Sequence, residues 1–317
     1  MFGLFVDYPP APDSGFWGTP TSTIDWCEEN YVISPYVAEW SNTLTNSGFI
    51  LLALYLYYSA GKNKLETRFK LICAGFGLVG IGSWLFHMTL QYEYQLLDEL
   101  PMVYATCIPA WSIFCEEIDA ATTKIKSPTK RKQWIIGLSI FTGANILTAV
   151  YLIFKDPTIH QVGYGVINAL LISFAFRLTS LFVDDKKAKR NLQNSMLLGI
   201  GMFLFGFFFW QLDVHFCKFW IMIRRLYLKL PLGLFLEFHG WWHLFTGLGV
   251  YFYIVFLEYL RIYIHGKGDQ YQMIWRWSIF PEVVLTSSRI STPYSTELFG
   301  AFESLPTHRL EERSKSE

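Results

Sequence analysis

Apolar runs of about 20 residues, enough for a helix to cross the hydrocarbon core of a bilayer, recur along this chain between short polar links. The pattern predicts seven transmembrane helices, near 41–60, 69–90, 96–115, 134–154, 161–183, 195–216 and 231–262. One such run alone reads equally well as a buried core helix; seven in succession do not. The expected fold is therefore an all-α integral membrane bundle. Residues 1–40 form an acidic N-terminal segment, 41–262 the bundle and 263–317 a C-terminal tail. Pro101 and Pro109 predict a kink in the third span, because proline removes a ladder hydrogen bond. The long last run predicts a helix that tilts or runs past the bilayer. In the tail, Tyr271, Trp275, Arg276 and Trp277 suit a membrane interface, and the polar stretch after residue 286 predicts disorder.

The cationic residues give the bundle a direction. Residues 1–61 hold no Lys or Arg, and the second and fourth links offer only Lys155. The first link has Lys62, Lys64 and Arg68; the third has Lys124, Lys126, Lys130, Arg131 and Lys132; the fifth has Lys186, Lys187, Lys189 and Arg190. The sixth breaks the trend with Lys218, Arg224, Arg225 and Lys229. The majority places the N-terminus in a lumen and the C-terminus in the cytosol. Residues 1–35 lack the basic start and apolar core of a cleavable signal peptide, so the first span is expected to direct insertion and remain.

Composition agrees with a membrane class: 52% of residues are hydrophobic and 16% charged, against about 25% charged in soluble domains. A net charge of zero gives no global field for nucleic acid, and no obligate protein partner is indicated.

Ionisable residues inside a membrane are costly and usually face the bundle interior. His87 closes the second span, Asp98 opens the third, and His239 and His243 lie early in the seventh. The two late histidines are four apart and share a helix face, a spacing that suits two ligands of one metal and equally two hydrogen-bonded core histidines. The predicted topology brings His87, Asp98, His239 and His243 to one lumenal layer. Three imidazoles with one open position are a common catalytic zinc arrangement. Asp98 then reads as a proton carrier, or as an acid at a helix start. Ser83, one turn before His87, reads as an oxyanion donor or as bonded back to a helix carbonyl. Asp213 and His215 fit either support behind a ligand imidazole or an interfacial position, and stay outside the core site.

Ahead of the first span, Asp25, Glu28, Asn30, Glu39 and the main chain of Trp26 offer hard oxygen ligands of the kind calcium takes. The spacing is not that of an EF-hand, and a capped, solvated helix start is the competing reading. Of the five cysteines, Cys73, Cys107 and Cys115 fall within spans or toward the cytosol. Cys27 and Cys217 fall on the lumenal side, where a disulfide persists, and are predicted to be bonded.

Four motifs carry a resemblance to the alkaline ceramidase family, most of all to fungal enzymes acting on dihydroceramide or phytoceramide. They are STIDWCEENY at 22–31, GSWLFHMTL at 82–90, LLDELPM at 96–102 and EFHGWWH at 237–243. The resemblance implies a seven-helix zinc hydrolase cutting the ceramide amide to a sphingoid base and a fatty acid, with some capacity to run in reverse. It implies zinc on His87, His239 and His243, proton transfer by Asp98, oxyanion support by Ser83, and calcium on Asp25, Trp26, Glu28, Asn30 and Glu39. Residence in ER or Golgi membranes is also implied. Two other readings compete: a receptor with a structural zinc, and a transporter using Asp98, Asp213 and His215 as a proton relay.

Overall fold

The computed structural model describes residues 5–118, 125–126 and 129–303; residues 1–4, Lys124 and the end of the tail, 304–317, lie outside them. Helix α1 (Trp40–Thr45) leads through Asn46 into α2 (Ser47–Lys62), followed by α3 (Thr67–Thr89) and α4 (Tyr92–Phe114). A short antiparallel pair, β1 (Glu117–Ile118) and β2 (Ile125–Lys126), precedes α5 (Lys130–Phe154), α6 (Pro157–Phe182), α7 (Lys186–Ile223) and α8 (Phe238–Ile264). Among the described residues five helices, α3 and α5 to α8, are long and apolar enough to cross a membrane, so this is a multi-pass membrane protein. The first predicted span divides at Asn46, and its 16-residue α2 rises only about 24 Å at ~1.5 Å per residue. The third, α4, carries Glu93, Asp98 and Glu99.

Helix starts follow local chemistry. Asp156 accepts from Thr158 N ahead of Pro157 at the first turn of α6. Asp185 accepts from Ala188 N at 2.7 Å to begin α7. The basic residues Lys186 to Arg190, expected in a link, thus form the opening turns of α7, because Lys and Arg are good helix formers. Helix α4 runs unbroken through Pro101 and Pro109; the non-helical dihedrals fall at Phe216 inside α7 instead.

Helix α8 is central. In its most apolar stretch 67% of residues are buried, against 11% in α5, whose Trp134, Leu138, Phe141 and Ile153 point outward as a lipid-facing surface would. Small residues bring α7 and α8 together: a Cβ on Gly249 would lie 2.9 Å from the carbonyl oxygen of Gly199. Such pairs let membrane helices approach backbone to backbone.

The cationic link after α7 is accounted for by pairing. Arg224 is fully buried and ion-paired with Glu237. Arg225 pairs with Glu29 at 2.7 Å and Lys229 with Asp7 at 2.9 Å. Cys27 and Cys217 are bonded, their Cα atoms 5.2 Å apart across a sequence separation of 190, and Arg224 Nη2 donates to the Cys27 carbonyl at 2.7 Å. These contacts fasten the N-terminal segment to the end of α7.

The tail departs from expectation. Strands β3 (Tyr271–Arg276), β4 (Phe280–Leu285) and β5 (Tyr294–Ser295) form an antiparallel sheet ordered β4-β3-β5. Trp275, expected at the membrane interface, is fully buried and donates to Asn191 Oδ1 of α7 at 3.1 Å. Glu282 accepts from Ser59 at 2.7 Å and Tyr55 at 3.0 Å and pairs with Arg276. Beyond residue 286, where disorder was expected, β5 pairs with β3 and the Thr296 carbonyl accepts from Asn191 Nδ2 at 3.0 Å, so residues up to 303 include docked structure; the expectation for 304–317 falls outside the described residues.

Candidate metal centre and lipid cavity

Glycine at position 82 sets the first geometry. A Cβ there would fall within contact distance of the Leu97 carbonyl and 3.0 Å from Asp98 N. Its absence lets α4 press against α3 at this level, which brings Asp98 into hydrogen-bonding reach of Ser83. One turn further along α3, His87 meets His239 and His243 from the first turns of α8. One ring nitrogen of each lies within 4.8 Å of the others. All three rings are buried, at 1%, 3% and 4% exposure.

Each imidazole is held from behind. His87 Nδ1 is hydrogen-bonded to a carboxylate oxygen of Glu39. His243 Nδ1 meets Thr45 Oγ1 at 3.0 Å and Asn46 Nδ2 at 3.4 Å, which leaves the Nε2 atoms of both rings for the centre. His239 stacks on the Trp26 indole with centroids 3.8 Å apart. Its Nδ1 has no partner among the described residues. Three buried rings with a nitrogen of each close to the others, braced by a carboxylate and a hydroxyl, have the chemistry of a metal site.

The acidic segment sits directly behind. Glu39 is fully buried and Glu28 is 5% exposed, so the solvated helix start is excluded for these two. Glu28 accepts the amides of Ser41 and Asn42, at 2.7 and 2.8 Å, at the start of α1. Glu39 accepts from Trp26 N at 3.3 Å and Asn42 Nδ2 at 3.2 Å. Asn30 donates to Asp25, on the exposed side, at 3.2 Å, while its own Oδ1 is buried without a partner. Burial and the neighbouring Glu39 push the Glu28 carboxyl up to about 8. Burial and Asp25 hold Glu39 well above the ordinary carboxylate range. Crowded, buried carboxylates with an orphaned amide oxygen fit a hard cation.

Asp213 and His215 separate. Asp213 is buried and accepts from Cys27 N at 3.0 Å and His239 N at 3.2 Å, fixing the start of α8. His215 is exposed and bonds Gln211 at 3.0 Å. Sequence reading missed Thr45 and Asn46 behind His243; the polar run Ser41-Asn42-Thr43 with Thr45 and Asn46 in an apolar span was the available signal. It also missed His160 on α6.

Ser83, Asp98, His239 and His243 line a cavity of about 350 Å³ between the helices, with Phe76, Phe203 and Leu257 among its mostly apolar walls. The Ceramidase family model matches residues 18–284. The chain belongs to the alkaline ceramidase family. It is 54% identical over 303 residues to alkaline ceramidase YPC1 of Saccharomyces cerevisiae, covering 95% of this chain and 96% of that one. It is 37% identical to alkaline ceramidase 3 of Mus musculus over 289 residues, 88% of this chain and 98% of the relative. To the alkaline ceramidase of Arabidopsis thaliana it is 30% identical over 253 residues, 80% and 89% of the two chains. The alkaline ceramidase match spans the histidine cluster, Ser83, Asp98 and the acidic segment. Metal use is consistent with this family and with the three-histidine cluster.

Proposed function

We propose that this protein hydrolyses the amide of ceramide at the three-histidine cluster, with zinc as the metal, giving a sphingoid base and a fatty acid. The observation that carries the reading is the convergence of His87, His239 and His243 in one buried cluster, two of whose rings line an apolar cavity together with Ser83 and Asp98. A receptor with a structural zinc has no use for a carboxylate and hydroxyl in that position. A proton relay through Asp98, Asp213 and His215 is disfavoured by the exposure of His215.

The lipid enters with its chains between the helices and its amide at the histidines. Zinc held there supplies Lewis-acid polarisation of a carbonyl and acidifies water. Asp98 takes the proton of the attacking water and delivers it to the amine nitrogen as the carbon–nitrogen bond breaks. Ser83 donates its hydroxyl hydrogen to the carbonyl oxygen as charge develops there. That hydroxyl lies close to Asp98, so the two groups can act on one amide. Run backward, the same groups join a fatty acid to a sphingoid base.

The acidic cluster of Asp25, the Trp26 carbonyl, Glu28, Asn30 and Glu39 holds calcium in this reading and stiffens the segment behind His87 and His239. The N-terminus is lumenal, in ER or Golgi membranes, which suits the persistence of the Cys27–Cys217 bond and the neutralised cations after α7. Dihydroceramide and phytoceramide are the expected substrates, on the resemblance of the motifs to fungal enzymes. Purified protein given a panel of ceramides should release free base, followed by mass. His239→Ala should remove the metal and the activity while inserting normally; full turnover by that variant would refute the assignment.

A further inference from the structure

No step above uses His160, in the first turn of α6. It is 2% exposed, lines the cavity, and its Nε2 has no hydrogen-bond partner among the described residues. The other side of the ring lies toward the main-chain carbonyl of Glu99, the residue that follows Asp98. A carbonyl only accepts, so the ring nitrogen facing it carries the hydrogen. In the neutral imidazole Nε2 then presents a bare lone pair.

The ring cannot easily turn away. It packs between Tyr151 and Tyr164, at centroid distances of 5.8 and 6.2 Å, the second nearly coplanar in orientation. The Tyr151 hydroxyl donates to the Glu99 carboxylate and receives a hydrogen bond from Gln95 at 3.3 Å. Gln95 in turn accepts from Thr23 N at 2.8 Å. A buried acceptor without a partner, on a ring that lines a lipid cavity, is costly until a ligand donates to it.

We infer that His160 Nε2 accepts a hydrogen bond from a hydroxyl of the sphingoid base and so selects hydroxylated bases. This rests on the reading that the cavity binds ceramide. A plain acyl chain has no donor to offer, whereas the sphingoid head carries hydroxyls close to the amide. The anchor through Glu99 sets His160 one residue along α4 from Asp98, the group assigned to the amide nitrogen. His160 is a positioning and specificity residue, distinct from the groups that move protons.

The test uses the intact protein in detergent or lipid with four substrates: an N-acyl sphinganine, its 1-deoxy and 3-deoxy analogues, and the 4-hydroxy form. Wild type should lose about 10- to 100-fold in kcat/KM on the analogue lacking the bonded hydroxyl. His160→Phe, which keeps an aromatic ring between the tyrosines, should bring that ratio close to one with metal content and Tm unchanged. His160→Gln restores an acceptor and should keep part of the ratio. The inference is overturned if wild type turns over all four equally, if the ratio persists in His160→Phe, or if both variants slow every substrate uniformly. Should His160→Phe not fold, the wild-type ratio and His160→Gln decide. Metal-dependent hydrolysis with a flat ratio sinks this inference alone; absence of metal-dependent hydrolysis of the parent amide sinks the ceramide reading with it.

Discussion

Glu39 touches both halves of the site: one carboxylate oxygen holds His87 Nδ1 and the other receives the Trp26 amide. The acidic segment and the histidine cluster thus share a side chain. Glu39→Gln keeps the shape and replaces the carboxyl with an amide. Its metal affinity should fall about 10- to 100-fold, the usual effect of altering a group that orients a ligand. Metal content after dialysis against graded chelator reads this out, and undiminished retention would argue against the bracing role.

Asp98 and Ser83 lie close together on the cavity wall, yet their proposed tasks differ. Asp98→Asn should lower kcat about 10²- to 10⁴-fold, as loss of an acid–base group does, with metal content intact. Ser83→Ala should cost about 10²- to 10³-fold, the range for an oxyanion donor. A loss confined to KM in either variant would move that residue from chemistry to binding.

Gly82 contributes nothing but space. Gly82→Ala adds a methyl against the Leu97 carbonyl and Asp98 N, where backbone must yield. Overpacking of this sort costs about 1–3 kcal/mol, and here it also parts Ser83 from Asp98. A lower Tm together with an activity loss larger than the unfolded fraction explains is the expected pair of results. Normal activity in a stable variant would show that the close approach of α3 and α4 is not needed.

The acidic segment predicts a pH dependence with a definite sign. Glu28 is raised to about 8 in the folded protein, above its unfolded value of about 4.3. Between those values the folded state binds the extra proton. Without a cation, this group's stabilisation is therefore present at low pH and lost as pH rises through 8. Calcium binds the ionised form, so its affinity should rise over the same window. Thermal midpoints in a calcium chelator should fall from about pH 6 to about pH 9, and saturating calcium should remove the decline. The same slope with and without calcium would place the cation elsewhere.

Much of the centre was legible because it depends on periodicity. Two histidines four apart share a helix face whatever surrounds them, and the span count carried His87 and Asp98 to the same end. The supports were harder to see. Thr45, Asn46 and Asp213 act through contacts to His243 Nδ1 and His239 N; polar residues in apolar spans flagged them at most as candidates, and nothing local names the histidine each one serves. The cations after α7 read as an exception to the charge trend until Glu237, Glu29 and Asp7 stood opposite them. Short strands around Trp275 and Glu282 were hidden because their composition also suits an interface; burial against Asn191, Ser59 and Tyr55 is a tertiary fact. The break at Asn46 and the acids Glu93, Asp98 and Glu99 of α4 are why five helices, against seven expected, meet the length and hydropathy of a crossing helix.

Because α3 supplies one imidazole and α8 the other two, a ribosome must have delivered nearly the whole polypeptide before the cluster can exist. A product stalled before α8 carries membrane-embedded segments and no competent centre. On the proposed assignment, nascent chains are thus barred from attacking the lipids they are inserted among, and reactivity is conferred only on a finished fold.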